Sequence, residues 1–113
     1  MTKIYHNPRC SKSRQTVQLL EREGETFDTV LYMDSPPTAK ELTDILNQLG
    51  FQPIELVRKN EQIWKENYKG KDLTNAQIVA AMVAHPKLIE RPIVIKNGKA
   101  ALGRPPENIL GIL

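Results

Sequence analysis

The sequence predicts an α/β fold, a mixed four-stranded sheet with a helical stretch inserted between its two halves. Three observations carry that prediction. A strand–helix–strand pattern fills the first third of the chain, two capping boxes mark helices in the middle, and Asn97-Gly98 separates two short apolar runs near the end. With 113 residues, 40% of them hydrophobic and 26% charged, the chain has the size and balance of one globular domain, residues 1–113.

Lys3 to His6 is a short β-type run that ends at Asn7-Pro8, because proline cannot donate to a ladder. A helix starts at Ser11, with Val17 and Leu20 on one face and Gly24 as its stop signal. Phe27 to Tyr32 alternates apolar and polar residues and reads as a second strand, which completes a βαβ unit. After Ser35-Pro36-Pro37, Thr38 and Glu41 form a capping box, in which each side chain covers a free backbone N–H. Leu42, Ile45, Leu46 and Leu49 follow at helical spacing, and Gly50 closes that helix. A short polar helix is expected around Gln62 to Tyr68. Thr74 and Gln77 make a second capping box, and Ala76, Val79, Ala80 and Val83 are the expected inner stripe of a helix that His85-Pro86 ends.

The last quarter returns to strands. Pro92 to Lys96 is apolar, Asn97-Gly98 suits a type I′ turn whose central residues need positive φ, and Lys99 to Leu102 is the partner strand. Pro105-Pro106-Glu107 opens a final helix with Ile109, Ile112 and Leu113 on its apolar face. A βαβ unit joined to a ββα unit is the layout of a thioredoxin-like sheet. The stretch at about 38–90 is then a helical insertion.

Composition excludes several classes of function. The single cysteine, Cys10, permits no internal disulfide and no multi-thiolate zinc site, so no metal is expected. The 16 basic residues exceed the 13 acidic ones by three, but they are scattered, without the clustered face that a nucleic-acid surface needs. Met1 to Ile4 is not the apolar run of a signal peptide, and no run nears about 18 apolar residues, so no membrane association is expected. The expectation is a cytoplasmic protein, where a free thiol stays reduced.

Chemistry is expected at Cys10. It stands where a strand and loop give way to a helix, and there unpaired N–H groups and the helix dipole stabilise a thiolate. Arg9, Lys12, Arg14 and His6 are near in sequence and add positive charge. A small buried filler is the plainer alternative. Cys10-Ser11-Lys12-Ser13 is a C-x-x-S, so serine replaces the second thiol of a dithiol oxidoreductase and an external thiol must resolve Cys10. A phosphatase-type loop would need arginine where Thr16 stands.

His6-Asn7-Pro8-Arg9-Cys10-Ser11-Lys12-Ser13-Arg14 resembles the H-N-P-x-C-x-x-S-R segment of the ArsC-type arsenate reductases, the kind that depends on glutathione and glutaredoxin. Leu56-Val57-Arg58-Lys59-Asn60, Glu90-Arg91-Pro92-Ile93-Val94 and Leu102-Gly103-Arg104-Pro105-Pro106-Glu107 match further family segments in order, across nearly the whole chain. The short proline-rich ending resembles the YfgD-like subgroup. The resemblance implies Cys10 as nucleophile and Arg58, Arg91 and Arg104 as oxyanion ligands. It also implies supporting roles for His6, Asn7, Ser13 and Arg14, and a cis Pro92 facing the cysteine loop. Arsenate is the implied substrate, glutathione the co-substrate and glutaredoxin the partner, with no bound cofactor. Taken singly, each arginine has a plainer reading: Arg58 on a helix surface, Arg91 paired to Glu90, Arg104 flanking a helix start. Two other functions remain open: a regulator of RNA polymerase resembling the Spx proteins, although these usually keep C-x-x-C, and a general glutathione-dependent thiol reductase.

Overall fold

The computed structural model describes residues 2–113; Met1, the first residue of the stretch weighed as a signal peptide, lies outside the described residues. The chain folds as two compact units, residues 2–35 with 91–113, and Pro36–Glu90.

The first unit holds the sheet. Strand β1 (Thr2–Tyr5) leads through helix α1 (Ser11–Arg22) to β2 (Phe27–Val30), and β3 (Ile93–Lys96) and β4 (Lys99–Leu102) form the hairpin. The order is β2-β1-β3-β4, with β1 parallel to β2 and antiparallel to β3. This is the thioredoxin-like arrangement. Asn97 and Gly98 take φ of 52° and 77°, as a type I′ turn demands. Ile4 on β1 faces Val94 on β3, and both are fully buried with Leu20 of α1 and Ile109 of the final segment. Val17, Phe27, Ala101, Ile112 and Leu113 pack around these four. Beyond α1, Glu25 Oε1 accepts from Lys96 Nζ at 2.7 Å and Thr2 Oγ1 at 2.9 Å, tying the helix–strand loop to β1 and β3. The bond to Lys96, then that to Thr2, holds the Glu25 carboxyl below its usual range.

The second unit holds α2 (Ala39–Leu49), α3 (Gln62–Asn67) and α4 (Asn75–Ala84), with 3-10 turns at Pro53–Leu56 and Pro86–Leu88. Both expected capping boxes are complete, at Thr38 with Glu41 and at Thr74 with Gln77. Gly50 ends α2 in the left-handed region. Leu42, Ile45 and Leu46 of α2 are buried, as are Leu56, Trp64 and Met82.

Apart from shifts of one residue at element ends, as in β1 at Thr2–Tyr5, three elements differ from the sequence expectation. Strand β2 stops at Val30 because its partner stops at Tyr5; Leu31 then opens a turn, its carbonyl accepting from the N–H of Asp34 and Ser35. The inner stripe of α4 is Ile78, Val79, Ala81 and Met82, while Ala76 and Ala80 are exposed. Almost every residue from Ala76 to Ala84 is apolar, so spacing gives no direction and the neighbouring elements decide the buried face. The final helix is a 3-10 segment, Pro106–Ile112, where two prolines remove backbone donors at its start and Gly111 weakens its end.

Candidate active site

Cys10 is the N-cap of α1, half-buried, with extended backbone angles and its N–H bonded to Asn7 O at 3.0 Å. It occupies a cap position where an oxygen-bearing side chain such as serine or threonine is usual. The larger sulfur faces the open N–H groups of the first turn, those of Lys12 and Ser13. Burial pushes the thiol pKa up. The Ser13 N–H, the charge and side-chain hydrogen bond of Arg91, and the Lys12 N–H together outweigh that effect, so the net shift is downward.

The loop before the helix is shaped by its own side chains. Asn7 Oδ1 accepts from Arg9 N at 3.0 Å, and Arg14 Nη1 donates to Pro8 O at 2.8 Å. Ser13 Oγ, fully buried, accepts from Asn7 N at 3.0 Å and shares a 2.6 Å hydrogen bond with His6 Nδ1. Burial, and then the charge of Arg14, lower the pKa of His6 and so favour the neutral imidazole. His6, Asn7, Ser13 and Arg14 thus set the loop from which the sulfur projects.

Two of the three singled-out arginines lie beside Cys10. Arg104 follows β4; its Nη1 is 3.9 Å from Cys10 Sγ and 3.3 Å from Arg91 O. Arg91 precedes β3, and its bond to Pro92 is cis. The Arg104–Pro105 bond is also cis, which no sequence signal announced. Arg91 lowers the thiol pKa both by its charge and by its side-chain hydrogen bond, whereas Arg104 approaches the sulfur from an exposed position. Among the described residues, Arg91 Nε is buried without a hydrogen-bond acceptor. A buried donor left so costs about 1–3 kcal/mol, a cost that a bound anion removes. The charge on the thiol thus comes from across the sheet, and the Arg14 guanidinium is turned to Pro8 instead.

Arg58 belongs to the second unit. It lies after the bridge between Val57 and Ile89, not on a helix, and its guanidinium meets Glu61 at 2.7 Å and Glu90 at 3.2 Å. Glu90 therefore pairs with Arg58, the partnership the sequence alone would have given to Arg91. Among the described residues no group of three His, Cys, Asp or Glu side chains is placed to hold a metal ion.

Gly103 is the residue of the site whose role the sequence did not signal. A Cβ there would lie 2.6 Å from Thr16 Oγ1 and 2.8 Å from Pro92 Cγ. Glycine lets the chain pass between α1 and the cis proline, with Gly103 N bonded to Pro92 O at 2.9 Å, and so sets where Arg104 emerges.

The ArsC family model matches residues 5–112. The chain is 50% identical over 113 residues to an Escherichia coli (strain K12) protein named YfgD, covering 98% of this chain and 95% of that one. It is 47% identical to an arsenate reductase of Neisseria meningitidis, covering 98% and 97%. The solved structure of an arsenate reductase from Vibrio cholerae superimposes with a TM-score of 0.95 at 46% identity, over 99% of this chain and 97% of that chain.

Proposed function

The chain belongs to the ArsC family, and from that premise we propose that it reduces arsenate through the Cys10 thiolate. One observation carries the reading: a thiol with a lowered pKa at the start of α1 lies within reach of two arginines, one of them with a buried donor lacking an acceptor. Relatives named arsenate reductase support the substrate. Arginine suits it, since a planar fork matches two oxygens of a tetrahedral oxyanion.

Arg91 and Arg104 hold the oxyanion, and the family pattern adds Arg58. The thiolate attacks arsenic, a sulfur–arsenic bond forms, and an arsenic-bound oxygen leaves as water after protonation. A glutathione thiolate then attacks the Cys10 sulfur. The sulfur–arsenic bond breaks with its electron pair going to arsenic, so arsenic is reduced by two electrons and leaves as arsenite. The Cys10–glutathione disulfide that remains is opened by a glutaredoxin thiolate, which restores Cys10. Serine at position 13 supports an external resolving thiol, and a reducing cytoplasm suits the reaction. Among the described residues no helix is long and apolar enough to cross a membrane.

The test is arsenate-dependent thiol oxidation with purified glutathione and glutaredoxin, compared with thioredoxin. Turnover with the first pair, lost in Cys10→Ser and reduced at least several-fold in Arg91→Lys or Arg104→Lys, supports the reading. Turnover with thioredoxin alone would replace the electron donor. Arsenate-independent reduction of glutathionylated substrates, with no arsenate turnover, would make the protein a general thiol reductase instead.

A further inference from the structure

Arg58 already has anions of its own. Its Nη1 meets Glu61 Oε2 at 2.7 Å and its Nε meets Glu90 Oε1 at 3.2 Å, while the other Glu61 oxygen lies 3.6 Å from Lys87 Nζ. Two positive and two negative charges thus form one network, and the side chains of Arg58, Glu61 and Glu90 are only 25%, 21% and 25% exposed. The backbone fixes the partners. Arg58 N donates to Leu88 O, Glu90 N donates to Leu56 O, and Glu61 N donates to Arg58 O, so each carboxylate is held beside the guanidinium.

Position 61 is informative for a second reason. Glu61 is the N-cap of α3, yet its side chain makes no cap bond. Helices α2 and α4 of the same unit carry threonine caps with complete capping boxes. Helix stability alone favours serine, threonine, aspartate or asparagine at such a position. Glutamate here gives up that contribution, and its carboxylate serves Arg58 and Lys87 instead.

We propose that Glu61 sets the oxyanion affinity of the protein by acting as an internal anion on Arg58 that substrate must displace. This rests on the reading of Arg58 as an oxyanion ligand. An arriving tetrahedral dianion takes over the Nη1 donor, and the Glu61 carboxylate swings to Lys87, which already neighbours its other oxygen. The exchange leaves no carboxylate without a cation. It favours a doubly charged tetrahedral oxyanion, which can compete with a carboxylate for the guanidinium edge, over singly charged anions, which cannot. Glu90, on Nε, keeps the guanidinium in place during the exchange.

The test is calorimetric titration of the full chain with inorganic phosphate, beside steady-state kinetics with arsenate. Glu61→Gln keeps the shape and an acceptor oxygen but removes the charge. It should bind phosphate about three- to ten-fold more tightly, the range between a part-exposed ion pair and a charge-assisted hydrogen bond. The KM for arsenate should fall by a similar factor with kcat unchanged, a split that a merely structural role does not produce. Glu61→Asp should return affinity toward that of the parent, and Glu61→Gln should have no effect in an Arg58→Ala background. Circular dichroism checks that each variant is folded. If Arg58→Ala weakens phosphate binding while Glu61→Gln leaves it unchanged or weaker, the inference is overturned and Glu61 only orients Arg58. If Arg58→Ala leaves phosphate affinity untouched, the oxyanion reading of Arg58 fails, and the inference with it.

Discussion

Replacing Gly103 by alanine adds one methyl group where the fold has no room for it. The new carbon would lie 2.6 Å from Thr16 Oγ1 and at 2.8 and 3.2 Å from two ring carbons of Pro92. Neither neighbour yields easily. Thr16 is fully buried with its hydroxyl bonded to Lys12 O at 2.8 Å, and the Pro92 carbonyl accepts from Gly103 itself. Overpacking of this kind costs about 1–3 kcal/mol, and two contacts below 3.0 Å put Gly103 in the upper half of that range. The φ of Gly103 is not positive, so alanine also gains about 0.4–1 kcal/mol from a less disordered unfolded chain. The expected net loss is about 1–2 kcal/mol, or about 4–8 °C in melting temperature for a chain of this length. Urea denaturation followed by far-UV circular dichroism measures it. Thr16→Ala removes the nearest atom, so Gly103→Ala/Thr16→Ala should lose less than the sum of the two single variants. The second readout is functional: moving Arg104 away from Cys10 should slow alkylation of the thiol. A Gly103→Ala protein within about 0.5 kcal/mol of the parent, with no coupling to Thr16, would show that the chain shifts freely there and that the close passage does not position Arg104.

Two further outcomes concern titration. The rate of Cys10 alkylation by iodoacetamide should rise with a midpoint below the ordinary thiol range, and Arg91→Ala should move that midpoint upward; equal midpoints would remove Arg91 as the stabilising charge. Because the folded pKa is the lower one, the thiolate's contribution to stability is present at alkaline pH and is lost as pH falls through that lowered value. His6 is also depressed, so the unfolded chain takes up its proton first as pH falls below about 6.5 and acid weakens the fold. A His6→Gln variant should lose that part of the pH dependence of urea midpoints, and an unchanged slope would show that His6 titrates as it does in the unfolded chain.

What the sequence made legible follows from how local each signal is. The capping boxes at Thr38 and Thr74, the Asn97-Gly98 turn and the stop at Gly50 are contacts between residues within four positions of one another, and all four form as read. The end of β2 depends on where another strand stops, and the buried face of α4 depends on which elements it meets. Neither is written in the segment itself. The mixed four-stranded sheet was legible because a βαβ unit and a hairpin leave few ways to place four strands.

At the site the division is similar, and it shows why a motif is a weaker guide to mechanism than to location. The segment from His6 to Arg14 locates the thiol, and its own contacts, His6 with Ser13 and Arg14 with Pro8, are short-range. The residues that act on the sulfur from elsewhere are long-range. The nearby cations Arg9, Lys12 and Arg14 were the natural candidates for thiolate stabilisation, yet the charge comes from Arg91, brought in by the pairing of β3 with β1. Arg104 arrives through the β4 pairing, and only a glycine at position 103 lets the chain carry it there. A charge close in sequence can turn toward a carbonyl, as Arg14 does, while one far away in sequence can be fixed beside the thiol by the sheet. Thiol acidity here therefore joins a local part, the Ser13 and Lys12 N–H groups at the start of α1, to a part set by strand register through Arg91. Changes that loosen the β1–β3 pairing should raise the thiol pKa even where they touch no charged residue.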